Sequence, residues 1–112
     1  MRTISCLAAI AFVTGHVWAA DDAAERGAKM FVAVGCYQCH GYQGQGGAAG
    51  PRLAPDTLPY DAFSSFIRTT DRIMPPYTAH VLPEADLKDI HAYLSTIPEP
   101  PPRNQIPLLG GK

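Results

Sequence analysis

The sequence contains no apolar run long enough to cross a bilayer, no convincing stretch of alternating apolar and polar residues, and no internal repeat. A spanning helix needs roughly 20 apolar residues, whereas Ile4 to Val13 is much shorter, so no stable membrane insertion is expected. Without period-two alternation there is little to build a sheet from, and without a repeat there is no solenoid. Charge of one sign is also scarce. Nine Lys and Arg face ten Asp and Glu, a formal net charge of −1, which gives no basic footprint for nucleic acid. Three cysteines are too few for a disulfide-stapled scaffold.

The cysteines that are present are unevenly placed. Cys6 lies inside the short apolar run, which follows Arg2 and ends in Val17-Trp18-Ala19-Ala20, small residues suited to signal peptidase before Asp21. Residues 1–20 therefore read as a cleaved secretory signal, and the mature protein is expected in the periplasm. Cleavage removes Arg2 and Cys6, leaving eight basic against ten acidic residues, a formal −2, and only Cys36 and Cys39. Residues 21–97 are expected to form one small domain, and 98–112 a proline-rich tail, extended over Pro98 to Pro102, with Arg103 to Lys112 having little to pack against, so that the tail is surface-bound or mobile, or docks to a larger subunit.

Helical signals recur along the domain. Ala24, Gly27, Phe31 and Val34 share one face of a predicted helix over Ala23 to Val34, ending near Gly35. Phe63, Phe66 and Ile67 predict a short helix over Tyr60 to Arg68 behind Pro59. Pro83 to Ile97 opens on a proline, carries Glu84 and Asp86 in its first turn, and repeats apolar residues at Leu87, Ile90, Leu94 and Ile97. Residues 41–50, GYQGQGGAAG, are half glycine and predict a loop, and no Gly-Lys-Ser/Thr follows to make it a phosphate cradle. The fold class is all-α.

Between the first helix and the glycine loop stands Cys36-Tyr37-Gln38-Cys39-His40. This CxxCH spacing sets two thiols on one edge of a porphyrin and the following imidazole beneath its iron, the signature of c-type haem attachment. The thiols add across the two vinyl groups as thioethers, giving one covalently bound haem c with His40 as the proximal ligand. A thioredoxin-type pair would need a βαβ frame, and a zinc site another Cys or His pair; neither is visible. For the sixth ligand the mature chain offers Met30, Met74, His80 and His91. Met30 is too close to Cys36 on the same helix. Met74 precedes two prolines and follows His40 by enough chain to wrap over the opposite face, so it is favoured, with His80 in reserve and His91 assigned no role. A thioether favours Fe(II) and raises the potential relative to a second histidine.

Taken together, the N-terminal helix, CxxCH, methionine loop and C-terminal helix over Ala23 to Ile97 resemble the small monohaem class I cytochromes c. The resemblance implies three to four helices around the haem, with the first helix crossing the last at Gly27 and Phe31 against Tyr93 and Leu94. It implies that the carbonyl of Pro51 accepts the ring N–H of His40, orienting the ligand. Met74-Pro75-Pro76-Tyr77 is similar to the methionine segment of cytochrome subunits that serve periplasmic dehydrogenases. An electron carrier rather than an enzyme is expected, taking single electrons from a flavin- or quinone-dependent dehydrogenase and passing them to a downstream cytochrome or oxidase. A small haem peroxidase or gas sensor, with a displaceable sixth ligand, is the alternative. Arg52, Tyr60, Arg68 and Arg72 are candidate donors to the haem propionates.

Overall fold

The computed structural model describes residues 18–110. Among these there is no strand; in chain order come α1 (Trp18–Ala33), α2 (Tyr37–His40), α3 (Tyr60–Thr69), α4 (Glu84–Ser95), a 3-10 turn (Arg103–Gln105) and α5 (Pro107–Gly110). The chain is all-α, as its periodicity predicts. Of the expected signal segment, residues 1–17 lie outside the described residues. Helix α1 begins five residues ahead of the predicted Ala23, because the alanine- and aspartate-rich stretch before it holds no proline or glycine to stop it.

The end of α1 decides where the two thiols fall. Gly35 takes a left-handed φ of 85°, its N–H reaches the carbonyl of Val32, and the N–H of Cys36 reaches that of Phe31. This pair of bonds is the Schellman arrangement, which satisfies the last orphan carbonyls of a helix and turns the chain sharply. The turn is followed at once by α2, a single turn in which the N–H groups of Cys39 and His40 both return to the carbonyl of Cys36.

Helix α3 begins after Pro59, with Asp61 in its first turn and Arg68 in its last, each sign at the end the macrodipole favours. Pro83 plays the same starting role for α4, one residue inside the predicted boundary, and Glu84 and Asp86 follow it. The principal packing is α1 across α4. A Cβ added at Gly27 would stand 1.9 Å from the carbonyl oxygen of Asp89 and 2.9 Å from the amide nitrogen of Ile90, so only a hydrogen side chain permits this approach. The glycine thus meets α4 about one turn earlier than Tyr93 and Leu94, the expected contacts, while Phe31 does pack on Tyr93 with ring centroids 5.8 Å apart. A two-pronged bond from Arg26 to Asp89, at 2.6 and 3.0 Å, fastens the same crossing from outside.

Eight apolar residues are buried: Phe31, Ala54, Phe63, Ile67, Leu82, Leu87, Ile90 and Leu94. Met30 packs on the edge of this cluster, the filling role its helical position suggests. The tail winds only beyond its prolines. The prolines at 100–102 are non-helical, but beyond them Gln105 N–H bonds the carbonyl of Pro102, Leu109 N–H that of Ile106, and Arg103 Nε that of Leu109. Local hydrogen bonds wind the segment without any core beneath it, and Leu108 stays 97% exposed.

Two outcomes follow from this packing. Gly27→Ala forces a methyl group into backbone, and on the haem-loaded protein guanidinium denaturation should show a loss of about 3 kcal/mol, the upper end for overpacking. The second concerns Glu84, whose carboxyl is held below its ordinary value of 4.5 by the Tyr60 hydroxyl and then by Arg68. A lowered native value means stability that is complete above about pH 4.5 and is lost as pH falls through the lowered value. Glu84→Gln removes that titration, so the acid limb of a urea-denaturation series should be shallower than in the parent protein.

Candidate functional site

Helices α1, α3 and α4 do not close on one another completely. Between them and the loops after His40 and Thr70 lies a cavity of about 770 Å³, within the range of pockets that hold a small-molecule cofactor. Six of the eight core residues, Phe31, Phe63, Ile67, Leu82, Leu87 and Ile90, form its wall. Cys36, Cys39, His40, Pro51 and Met74 all line it as well. Five residues spread over nearly 40 positions of sequence are thereby gathered around one space.

Each is positioned by an identifiable local device. The single turn of α2 puts Cys36 and Cys39 three residues apart on one helical face, and both thiols are free. Burial pushes the Cys36 thiol up to about 11, so at neutral pH it is a protonated, uncharged part of the wall, while Cys39 is exposed. His40 is 6% exposed. Its Nδ1 lies 2.8 Å from the carbonyl oxygen of Pro51, and since a carbonyl can only accept, Nδ1 carries the proton. A neutral ring then keeps its lone pair on Nε2, the state a metal ligand requires.

The glycine loop makes room for this ring. A Cβ at Gly50 would sit 3.0 Å from both Nδ1 and Cε1 of His40 and 2.9 Å from the carbonyl of Cys39. The amide of Gly46 bonds the carbonyl of His40 at 2.8 Å, folding the loop back under the histidine. What the composition marks as an irregular loop is therefore a tight sleeve around one imidazole.

Met74 is half-buried and packs against the core. The segment around it is pinned at Tyr77, whose N–H bonds the carbonyl of Ile67 at 2.9 Å and whose hydroxyl bonds that of Val34 at 3.0 Å. Burial, reinforced by the nearby thiols of Cys36 and Cys39, raises the Tyr77 hydroxyl above its ordinary value and keeps it a donor. Tyr77 is the residue that reading the motif as a ligand site overlooks; the signal for it was an aromatic directly behind two prolines. His80 is exposed and does not line the cavity, nor do Met30 and His91. His91 instead donates from Nε2 to the carbonyl of Leu58 at 2.8 Å, meets the ring of Tyr60 edge-on and lies tilted against that of Phe63, tying the loop before α3 to α4.

Of the four candidate anion donors, Arg52 and Arg72 line the cavity, and Arg52 lies 3.6 Å from Asp56. Tyr60 and Arg68 do not line it: Tyr60 donates to Glu84, and Arg68 is spent on backbone carbonyls. Among the described residues no three His, Cys, Asp or Glu side chains converge, so the two cysteines and His40 are not part of a simple ion-binding cluster. Two unpaired thiols, one sleeved imidazole and a large apolar wall fit a flat macrocycle joined through sulfur and ligated through nitrogen.

The helical fold and this site define a small c-type cytochrome. Residues 22–94 match the model of the family described as Cytochrome C oxidase, cbb3-type, subunit III, and the chain belongs to that family of cytochrome c domains. No curated protein matches the chain. Membership carries with it covalently bound haem c and haem-based electron transfer.

The Gly50 contact is directly testable. Gly50→Ala should push the His40 ring off the carbonyl of Pro51, and in proton NMR of the haem-loaded protein the His40 Nδ1–H should exchange with solvent at least about tenfold faster, the equivalent of losing one modest hydrogen bond.

Proposed function

We propose that this cytochrome is a periplasmic electron carrier in which Cys36 and Cys39 bear the haem thioethers and His40 and Met74 are the axial ligands. It takes single electrons from a flavin- or quinone-dependent dehydrogenase and hands them to a downstream cytochrome or oxidase. The carrying observation is that, of the four residues able to supply a sixth ligand, Met74 alone lines the same cavity as His40.

Haem c supplies a one-electron iron couple. The chain supplies everything that makes the couple useful for transfer. His40, fixed in one tautomer by Pro51, is a strong and oriented donor. Met74 offers a soft thioether that favours the reduced state, so the potential suits a carrier drawing electrons from a dehydrogenase. With His40 and Met74 both holding the iron, oxygen and peroxide would find no free coordination site, and His40 is the one histidine in the cavity wall, leaving no second histidine to act as a distal acid-base group. No helix among the described residues is long and apolar enough to cross a membrane, which suits a carrier reaching its partners through solution or held by a partner subunit.

An absorption spectrum of the ferric protein tests the reading. The weak long-wavelength charge-transfer band of methionine sulfur on ferric haem should be present, should vanish in Met74→Ala, and should persist in His80→Ala; the potential of Met74→Ala should fall. A parent protein without the band, or a band that survives the loss of Met74, overturns the His40/Met74 assignment and favours the peroxidase or sensor alternative.

A further inference from the structure

Residues 70–83, which carry Met74, form neither helix nor strand, so their position depends on a small number of discrete bonds. The contacts on Tyr77 from Ile67 and Val34 account for its N–H and hydroxyl. Its carbonyl is held by Arg68. One guanidinium nitrogen, Nη1, donates at 2.8 Å to the carbonyl of Tyr77 and again at 2.8 Å to that of Leu82. The other, Nη2, donates to Glu84 Oε2 at 3.1 Å. The Arg68 side chain is only 18% exposed.

This arrangement draws together the two ends of the turn from Tyr77 to Leu82, within which Leu82 N–H also bonds the carbonyl of Thr78. Tyr77 stands three residues beyond Met74, so a staple at that carbonyl fixes the return path of the methionine segment. A planar fork delivers several donors from one rigid group, which a lysine cannot do. Arg68 does not line the cavity, and no haem contact is open to it except through this segment.

We propose that Arg68 is a positioning residue that sets how firmly Met74 is held at the cavity, and thereby how readily an external ligand reaches the haem iron. The proposal rests on the His40/Met74 reading. If the segment swings away in a small fraction of molecules, only that fraction accepts an outside ligand, and the apparent affinity for the ligand is scaled by the open fraction. Removing charge-assisted hydrogen bonds that exist only in the closed form enlarges the fraction.

The test is an imidazole titration of the ferric, haem-loaded protein, beside the long-wavelength band and guanidinium denaturation. Arg68→Gln should bind imidazole about tenfold more tightly than the parent, with a weakened band. Arg68→Lys, which keeps the charge and one donor direction, should fall between them, and serves as the decisive variant should Arg68→Gln fail to fold. Glu84→Gln, which leaves both Nη1 bonds in place, should bind imidazole as the parent does. Parent-like imidazole affinity and band in the Arg68 variants, even alongside a lowered denaturation midpoint, would reduce Arg68 to a general structural role and overturn the proposal while leaving the ligand assignment intact. A parent protein without the band overturns both.

Discussion

Everything in this fold is arranged around a core that the polypeptide does not fill. Among the described residues, six of the eight buried apolar residues, packed in one cluster, also line a cavity of about 770 Å³. Protein interiors are ordinarily packed as densely as organic crystals, so an apolar cavity of this size within a small core has the dimensions of a bound group. A domain this small has little apolar surface to spare. The cofactor is therefore the missing part of the core, and covalent attachment through two thiols removes the risk of losing it. The same requirement explains the apolar side chains at the mouth, Leu58, Phe66 and Ile73, the last 99% exposed. As plain surface they would be a liability; beside a hydrophobic macrocycle they extend its contact.

Around that space the backbone is positioned by three kinds of constraint, and their order along the chain matters. The glycine turn at Gly35 aims Cys36, the single turn of α2 sets Cys39 and His40, and the sleeve from Gly46 to Pro51 fixes the imidazole. These are local, each spanning a handful of residues. On the methionine side the constraints are long-range: Tyr77 reaches 43 residues back to Val34, and Arg68 reaches 9 and 14 residues forward. His40 is thus built into a contiguous stretch of chain, whereas Met74, the proposed second ligand, arrives on a segment whose place depends on tertiary contacts.

That asymmetry also governs what was legible in the sequence. The helices were readable because their apolar residues recur at the helical period and because Pro59, Pro83 and Gly35 punctuate them. The CxxCH cluster was readable because all its chemistry lies within five residues. The full register of α1 on α4 was not: Phe31 meets Tyr93 as expected, but Gly27 crosses at Asp89 and Ile90, one turn earlier than expected. Nor were the roles of Arg68 and His91 visible, since an arginine or histidine on an amphipathic helix looks the same whether it is solvated, bound to a cofactor or bound to a distant carbonyl. The turns beyond the proline run were unread for another reason. The prolines forbid helix only over their own length, and the seven residues after them form hydrogen-bonded turns that composition alone does not announce.

On the proposed His40/Met74 ligation, the division between a local and a long-range ligand has a chemical consequence for an electron carrier. A one-electron couple works best when the two oxidation states share one ligand set and little has to move between them. His40 meets that condition through its sleeve, at the cost of a glycine loop with no secondary structure of its own. Met74 meets it only as far as the bonds on Tyr77 hold, because a thioether is a weak ligand and contributes little to keeping its own segment closed. The segment must be held by the protein rather than by the iron. Two prolines limit its internal freedom, Tyr77 fixes its exit, and a largely buried guanidinium secures the turn behind it. On the proposed ligation an electron carrier gains from each of these, since every opening of that segment would expose a site where unwanted chemistry could begin.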